Sequence, residues 1–311
     1  MKNVVTLTLN PAIDKTTLTE KLMPESKLRC ENPTYEAGGG GVNVSRAIKK
    51  LGGESVAIFP SGGHRGDLFE KLLTKEKIEF RSYRINEPTR ENFTVVEKAT
   101  NHQFRFIMEG PTVSEEEADY CLKLLKSLPV KPDYLVASGS LPKGLDKSYI
   151  RKIAKTAREL GSKLIIDTSG DALEVAVNEG VYLLKPNIGE LSKLAGRESI
   201  TAEEVDEVAH ELIKKGKIEI IVVSLGASGA LLVTKDISKH IPAPSVPKRS
   251  TVGAGDCMVG GMILSLALGK SPVEMAQYGV ACGTAATMNP GTELCKKEDA
   301  DRLFNWILKR S

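Results

Sequence analysis

The sequence predicts an α/β fold: a doubly wound, mostly parallel sheet with helices on both faces, plus a small β-sheet lid. Three observations predict it. Short β-branched runs alternate with amphipathic helical periods through most of the chain, the βαβα order that a parallel sheet with right-handed crossovers requires. Two glycine clusters, at 38–41 and 253–255, each run straight into a helical stretch. One region, 92–108, breaks the order with two strictly alternating strands. No repeats or separable linkers interrupt the chain, so the expectation is one domain over 1–311, with lid strands inserted at about 15–36 and 90–109.

In chain order, Val4 to Leu9 reads as the first strand and ends in Asn10-Pro-Ala-Ile-Asp14. Gly38 to Gly41 precede a helix from Val42 to Leu51, closed by Gly52 and Gly53, the usual glycine stop. Ser55 to Phe59 is the next strand and Arg65 to Lys75 the next helix. Strands are expected at Tyr134–Ala137, Lys163–Asp167, Val181–Leu184 and Ile218–Ser224, and helices at Lys147–Leu160 and Ala202–Lys215. Ligands of such sheets collect beyond the carboxyl ends of the strands. Asn10–Asp14, Ser138–Leu141 and Lys185–Asn187 all follow strands and therefore belong to that rim.

The irregular region pairs Asn92–Lys98 with Gln103–Met108, and Phe104, Phe106 and Met108 share one face. A lone hairpin with an apolar face is unstable in water. Joined by Thr16–Thr19 and Arg29–Glu36, it is expected to form a lid whose apolar face meets a second subunit; an extra edge of the main sheet is the alternative.

Thr251-Val-Gly-Ala-Gly-Asp256 leads into an apolar helix from Met258. Gly253 and Gly255 lack the Cβ atoms that would block close approach, and free amides at a helix start attract anions. A carboxylate beside an anion site repels the ligand unless it takes part in the chemistry, so Asp256 is either a first-turn cap or the base that accepts a hydroxyl proton during phosphoryl transfer. Four consecutive glycines at 38–41 imply a ligand or chain close to that backbone. Neither cluster matches a dinucleotide fingerprint or a Walker loop, which disfavours a Rossmann dehydrogenase. A near-balanced charge of +3, from 43 basic and 40 acidic residues without a basic stripe, excludes a nucleic-acid surface. The five cysteines, Cys30, Cys121, Cys257, Cys282 and Cys295, lack metal-ligand spacing. With no signal-peptide or membrane-span pattern, they point to a soluble, cytoplasmic protein with reduced thiols and no membrane partner.

The two glycine motifs, Asn10-Pro-Ala-Ile-Asp14 and Lys185-Pro-Asn-Ile-Gly-Glu190 together resemble the PfkB, or ribokinase-like, family of sugar kinases, from Val4 to the C-terminal helix. The likeness is greatest to PfkB-type 6-phosphofructokinases. The resemblance implies ATP and Mg²⁺ as cofactors, K⁺ activation, a phosphorylated ketohexose as substrate and a homodimer joined through the lid. Asp256 is then the base, with the amides of Gly253, Ala254 and Gly255 around the transferring group. Asp14, Gly38, Gly39, Asn43 and Ser140 fall to the sugar, and Arg90, Lys27 and Arg105 to its phosphate. Lys185, Asn187, Ser224, Gly226, Gly229 and Thr251, together with Gly253 and Gly255, fall to the nucleotide. Glu190 with Asn187 resembles the family's magnesium motif, although Glu190 also suits a plain first-turn helix acid. Ser250, Val252, Ala286, Asn289, Gly291 and Glu293 resemble a monovalent-cation loop. Many relatives acting on fructose 1-phosphate or tagatose 6-phosphate resemble G-G-K-G where this chain has Gly40 third. Fructose 6-phosphate is thus the first expectation, then tagatose 6-phosphate and fructose 1-phosphate. A non-catalytic sugar-phosphate or nucleotide sensor on the same scaffold is the other class, disfavoured by the intact Asp256.

Overall fold

The computed structural model describes Met1–Arg310. In chain order the strands are β1 (Val4–Leu7), β2 (Ala12–Thr19), β3 (Thr34–Gly38), β4 (Val56–Gly62), β5 (Glu79–Ile85), β6 (Arg90–Glu97), β7 (Gln103–Phe106), β8 (Tyr134–Ser138), β9 (Lys163–Asp167), β10 (Val181–Leu184), β11 (Ile218–Ser224), β12 (Ala230–Val233) and β13 (Ser238–Ile241). The helices are α1 (Gly40–Lys50), α2 (Gly63–Lys75), α3 (Glu115–Lys126), α4 (Tyr149–Leu160), α5 (Asp171–Glu179), α6 (Ile188–Leu194), α7 (Val205–Lys214), α8 (Ala254–Ala267), α9 (Pro272–Thr287) and α10 (Lys297–Leu308).

Nine strands build the main sheet in the order β13-β12-β11-β10-β9-β8-β1-β4-β5. Pairing is parallel from β5 through β11 and antiparallel at the β12 and β13 edge. The alternation of strand side chains explains why helices cover both faces. Val136, Ile165, Leu183, Ile220 and Val222 pack with α1, α8, α9 and α10 on one side. Their neighbours Leu135, Ile166, Leu184, Ile221 and Val223 pack with α3, α4, α5 and α7 on the other. Because the chain runs β1 to β4 in one direction and returns to β8 on the opposite side of β1, the switch point falls between β1 and β8. A crevice is expected at the carboxyl ends there.

A separate four-stranded sheet, β3-β2-β6-β7, makes up the rest. It is larger at its start than the sequence suggested: β2 begins at Ala12, so Asp14 lies inside a strand of the small sheet rather than in a turn ending the first main strand. The strand expected at Arg29–Glu36 reduces to Thr34–Gly38, with Cys30 making only an isolated bridge to Thr19, and Met108 lies beyond β7. Register sorts the side chains by face. Asp14 pairs with Glu36 and Asn92, Ala12 with Arg90, and Thr94 with Arg105, so these polar groups share one face. Lys15, Tyr35, Phe93, Phe104 and Phe106 share the other.

Strands β5, β12 and β13 escape the sequence pattern for a physical reason. Glu79, Arg81 and Arg84 give β5 the look of a solvated segment, and β12 and β13 are antiparallel edge strands that fall outside the strand–helix alternation. Helix α8 is apolar on all sides and buried from Cys257 to Ala267. It packs closely because Gly260 and Gly261 carry no side chain: a Cβ on Gly260 would stand 2.8 Å from Ala47 Cβ on α1, and one on Gly261 would stand 2.6 Å from Cys282 Sγ on α9. This close approach fixes the α8 start against the α1 start. All five cysteines are free thiols, and no helix of the described residues is long and apolar enough to cross a membrane.

Candidate active site

Asp256 occupies the first turn of α8. Gly253 caps that helix with φ 73, a left-handed conformation that suits glycine. The first intrahelical bond runs from the Cys257 amide to the Gly253 carbonyl at 2.8 Å, and the Ala254 amide makes a long bond of 3.4 Å to Thr251. The amides of Gly255 and Asp256 have no carbonyl partner among the described residues, which leaves them free for an anion. Burial, together with the nearby charges of Asp167 and Asp14, pushes the Asp256 carboxyl up to about 7, against the opposing pull of Asn43 and Lys185. Such a value suits a proton acceptor near neutral pH.

Asn43 on α1 donates from Nδ2 to Asp256 Oδ2 at 2.9 Å. The four glycines explain how α1 reaches this position. Gly39 has φ 105, and a Cβ on Gly40 would stand 2.3 Å from Ser138 Oγ at the end of β8. A Cβ on Gly38 would collide with Asp14 Oδ2 at 2.1 Å. The glycines therefore let the chain pass between the ends of β8 and β2 with Asp14 lying over it. Asp14 accepts from Asn92 Nδ2 at 2.9 Å; burial raises its carboxyl, partly offset by that bond and by Arg46.

Arg90, the first residue of β6, points its guanidinium at two carbonyls, Asn10 at 3.0 Å and Met108 at 3.2 Å, while Nε is buried without a partner among the described residues. Burial lowers its pKa, opposed by Asp14. Arg105 shares the polar face with Asp14 and is exposed. Ser140 Oγ accepts from Asn10 Nδ2 at 3.1 Å, within the same rim. Lys27 is not brought in: it is exposed on the connection between β2 and β3 and forms no ion pair among the described residues.

Lys185, directly after β10, pairs with Asp167 at the end of β9 at 3.4 Å, and both are largely buried. Asp167 is the main cause of a raised pKa for Lys185, which stays charged. Its ammonium lies 3.7 Å from where a Cβ on Gly255 would stand. Asp167 also accepts from Ser138 Oγ at 3.2 Å. The sequence reading missed Asp167, although its place at the carboxyl end of a strand was a usable signal.

Asn187 and Glu190 form a capping box: Asn187 Oδ1 accepts from the Glu190 amide and Glu190 Oε2 accepts from the Asn187 amide, both at 2.9 Å. The alternative open in the sequence, a helix-terminus role for Glu190, is thus realised. Its Oε1 has no hydrogen-bond partner among the described residues, and a cleft of about 490 Å³ lined by Ser169, Gly170, Asn187, Gly189 and Glu190 opens beside it. Ser224 bonds the Pro186 carbonyl at 3.2 Å, which holds the β11 end beside Asn187. Gly226 starts a short 3₁₀ turn with φ 60 and open space around it, and Thr251 is exposed. Gly229 has a structural reason instead, because a Cβ there would stand 2.0 Å from the Ile241 carbonyl.

The segment around Ser250 does face the 286–293 loop. Ser250 Oγ donates to the Gly291 carbonyl at 2.7 Å, and the Val252 amide donates back to Ser250 Oγ at 3.2 Å. The Ala286 carbonyl accepts from the Asn289 amide at 3.1 Å, and Glu293 pairs with Lys296 at 3.5 Å.

A carboxylate held beside free helix amides, a buried ammonium and a second carboxylate at the switch point define a phosphoryl-transfer class of site. The profile of the pfkB family carbohydrate kinases matches residues 2–299, and the chain belongs to that family. It is 41% identical over 308 residues to the ATP-dependent 6-phosphofructokinase isozyme 2 of Escherichia coli (strain K12), covering 99% of both chains. It is also 41% identical over 301 residues to the isozyme 2 of Mycobacterium tuberculosis (strain CDC 1551 / Oshkosh), covering 97% of this chain and 88% of that one. The crystal structure of phosphofructokinase-2 from Escherichia coli in complex with potassium superposes with a TM-score of 0.94 at 40% identity, covering 99% of this chain and 100% of the other.

Proposed function

We propose that the chain transfers the γ-phosphoryl group of ATP to the primary hydroxyl of fructose 6-phosphate, giving fructose 1,6-bisphosphate. The observation that carries this reading is the placing of the Asp256 carboxyl in the first turn of α8, held by Asn43 beside helix amides that have no carbonyl partner among the described residues. Asp256 accepts the hydroxyl proton as the oxygen attacks phosphorus. The amides of Gly253, Ala254, Gly255 and Asp256 and the ammonium of Lys185 neutralise charge on the group in transfer. Positioning and charge stabilisation supply most of the acceleration in such reactions.

Asp14, Asn43, Gly38, Gly39 and Ser140 hold the sugar. Arg90 and Arg105 hold its phosphate, and Arg90 Nε is a buried donor still in want of an acceptor. Lys27 joins them only if its exposed loop folds in or a second subunit supplies it. The nucleotide lies along Lys185, Asn187, Ser224, Gly226 and Thr251. Glu190 Oε1 and the Asn187 side chain suit Mg²⁺, which takes oxygen ligands and leaves the rest of its shell to water and phosphate. When bound, the ion offsets charge on the ATP phosphates. The carbonyl-rich pairing of Ser250 and Val252 with Ala286, Asn289, Gly291 and Glu293 suits K⁺. The small sheet acts as the lid, and its outer face of Tyr35, Phe93, Phe104 and Phe106 suits a homodimer.

An assay of ADP release over fructose 6-phosphate, tagatose 6-phosphate and fructose 1-phosphate with Mg²⁺ tests the substrate. The highest kcat/KM is expected with fructose 6-phosphate. Equal turnover of an unphosphorylated hexose contradicts the assignment of the lid arginines.

A further inference from the structure

Behind the Asn43–Asp256 bond lies a buried guanidinium that the reaction scheme leaves unused. Arg46 stands one turn along α1 from Asn43 and is 2% exposed. Its Nε and Nη2 grip Glu76, just beyond α2, at 2.8 and 2.7 Å. Nη2 also donates to Glu36 on β3 at 2.9 Å, and Nη1 donates to the Ala37 carbonyl at 2.7 Å. These bonds outweigh the burial that disfavours its charge. Nη1 also donates to Asn43 Oδ1 at 3.4 Å, a contact that a clamp between α1, α2 and β3 does not require.

The two ends of a carboxamide are chemical opposites. Oxygen turned toward a carboxylate repels it, whereas NH₂ stabilises it. With Oδ1 engaged by Arg46, the NH₂ end is the one left for Asp256. We propose that Arg46 is a positioning residue, locking the Asn43 carboxamide so that its NH₂ faces Asp256 and holds the base ionised and aligned. This rests on Asp256 being the base of the kinase reaction.

Asp256 is faced by Asp167 from β9, Lys185 after β10, Asp14 from β2, Asn43 from α1 and Cys257 of its own helix. Arg46 is faced by Glu36, Glu76, Asn43 and Asp14. Losing the lock removes a donor from the carboxylate, so its titration moves to higher pH.

The test is the pH profile of kcat/KM for wild type, Arg46→Lys and Glu76→Gln, each substitution also placed in an Asn43→Ala background. Lysine keeps the charge without the planar fork. Glu76→Gln, at a partly exposed position, breaks the two-toothed grip that aims the guanidinium at Asn43 while keeping the arginine itself, so it carries the test if Arg46→Lys fails to fold. Both are expected to move the acid limb up by about half to one pH unit, with KM for ATP unchanged. Mere loss of the Glu76 charge would move the limb down, so the direction separates positioning from through-space electrostatics. In the Asn43→Ala background neither substitution is expected to move the limb further. A limb that stays or falls in the folded variants, or shifts that add to that of Asn43→Ala, overturns the proposal. A wild-type enzyme without any Asp256-dependent limb overturns instead the assignment of the base.

Discussion

At the scale of single residues, the chemistry turns on a carboxylate whose surroundings disfavour its charge. Its raised value predicts that kcat/KM climbs with pH through about 7, since a base works only when unprotonated. The same shift has a stability consequence with a definite sign. A carboxyl that titrates near 7 when folded and near the ordinary aspartate value of 3.8 when unfolded binds more protons in the native state between those values. Stability is therefore lost as pH rises through that window. Asp256→Asn should melt at a higher temperature than wild type at pH 8, and the gap should close toward pH 4; thermal unfolding at the two pH values checks this. Asp256, Asn43, Asp14 and Lys185 were legible as candidates because each sits in or beside a glycine or strand-end motif, and Arg90 because it is a basic residue beside a lid strand. Arg46 was not. In sequence it reads as one basic residue of a helix ending in two lysines, and nothing local shows that Glu36 and Glu76 close around it.

At the scale of elements, two short features decide the site. The capping box of α6 makes Asn187 and Glu190 serve structure, and the metal role proposed for them would add to it. The two roles separate experimentally, because glutamine also closes a capping box but offers a metal no charge. Glu190→Gln is expected to leave the melting temperature unchanged and to raise the Mg²⁺ concentration needed for half-maximal rate by about tenfold or more. Equal Mg²⁺ dependence in the two proteins would leave only the helix-terminus role. The second feature is the α1–α8 contact at Gly260. An added methyl would meet Ala47 Cβ at 2.8 Å, both atoms on helix backbones that yield little. Gly260→Ala should cost about 1–3 kcal/mol of stability and separate Asn43 from Asp256, lowering kcat; denaturant unfolding measures the first effect and turnover the second. The core strands were legible as continuous apolar runs. Strand β5 was not, because Glu79, Arg81 and Arg84 make it read as a solvated segment, and β12 and β13 were not because they follow β11 as antiparallel edge strands without intervening helices.

Over the whole molecule, the small sheet has a polar face of Asp14, Glu36, Arg90, Asn92 and Arg105 and an apolar face that remains open. Phe104 is 39% exposed, Phe106 46% and Tyr35 38%, and Phe93 stacks on Phe106 with centroids 6.2 Å apart. Exposed aromatic surface on one sheet face is the mark of a protein contact. Phe106→Glu is expected to move the protein from dimer to monomer in sedimentation velocity, and an unchanged coefficient would exclude this face from the interface. The cation loop proposed around Ser250 and Gly291 belongs to this scale as well, since it joins the α8 start to the α9 end. Turnover in K⁺ should exceed that in a large organic cation.

The central claim is that the α8 carboxylate takes the proton of the acceptor alcohol. Single-turnover phosphoryl transfer from ATP to fructose 6-phosphate, with Asp256→Asn shown by titration to bind ATP normally, tests it most directly. The expected rate is lower by about 10²- to 10⁴-fold, whereas a variant that binds ATP and transfers at near wild-type speed would rule out Asp256 as the base.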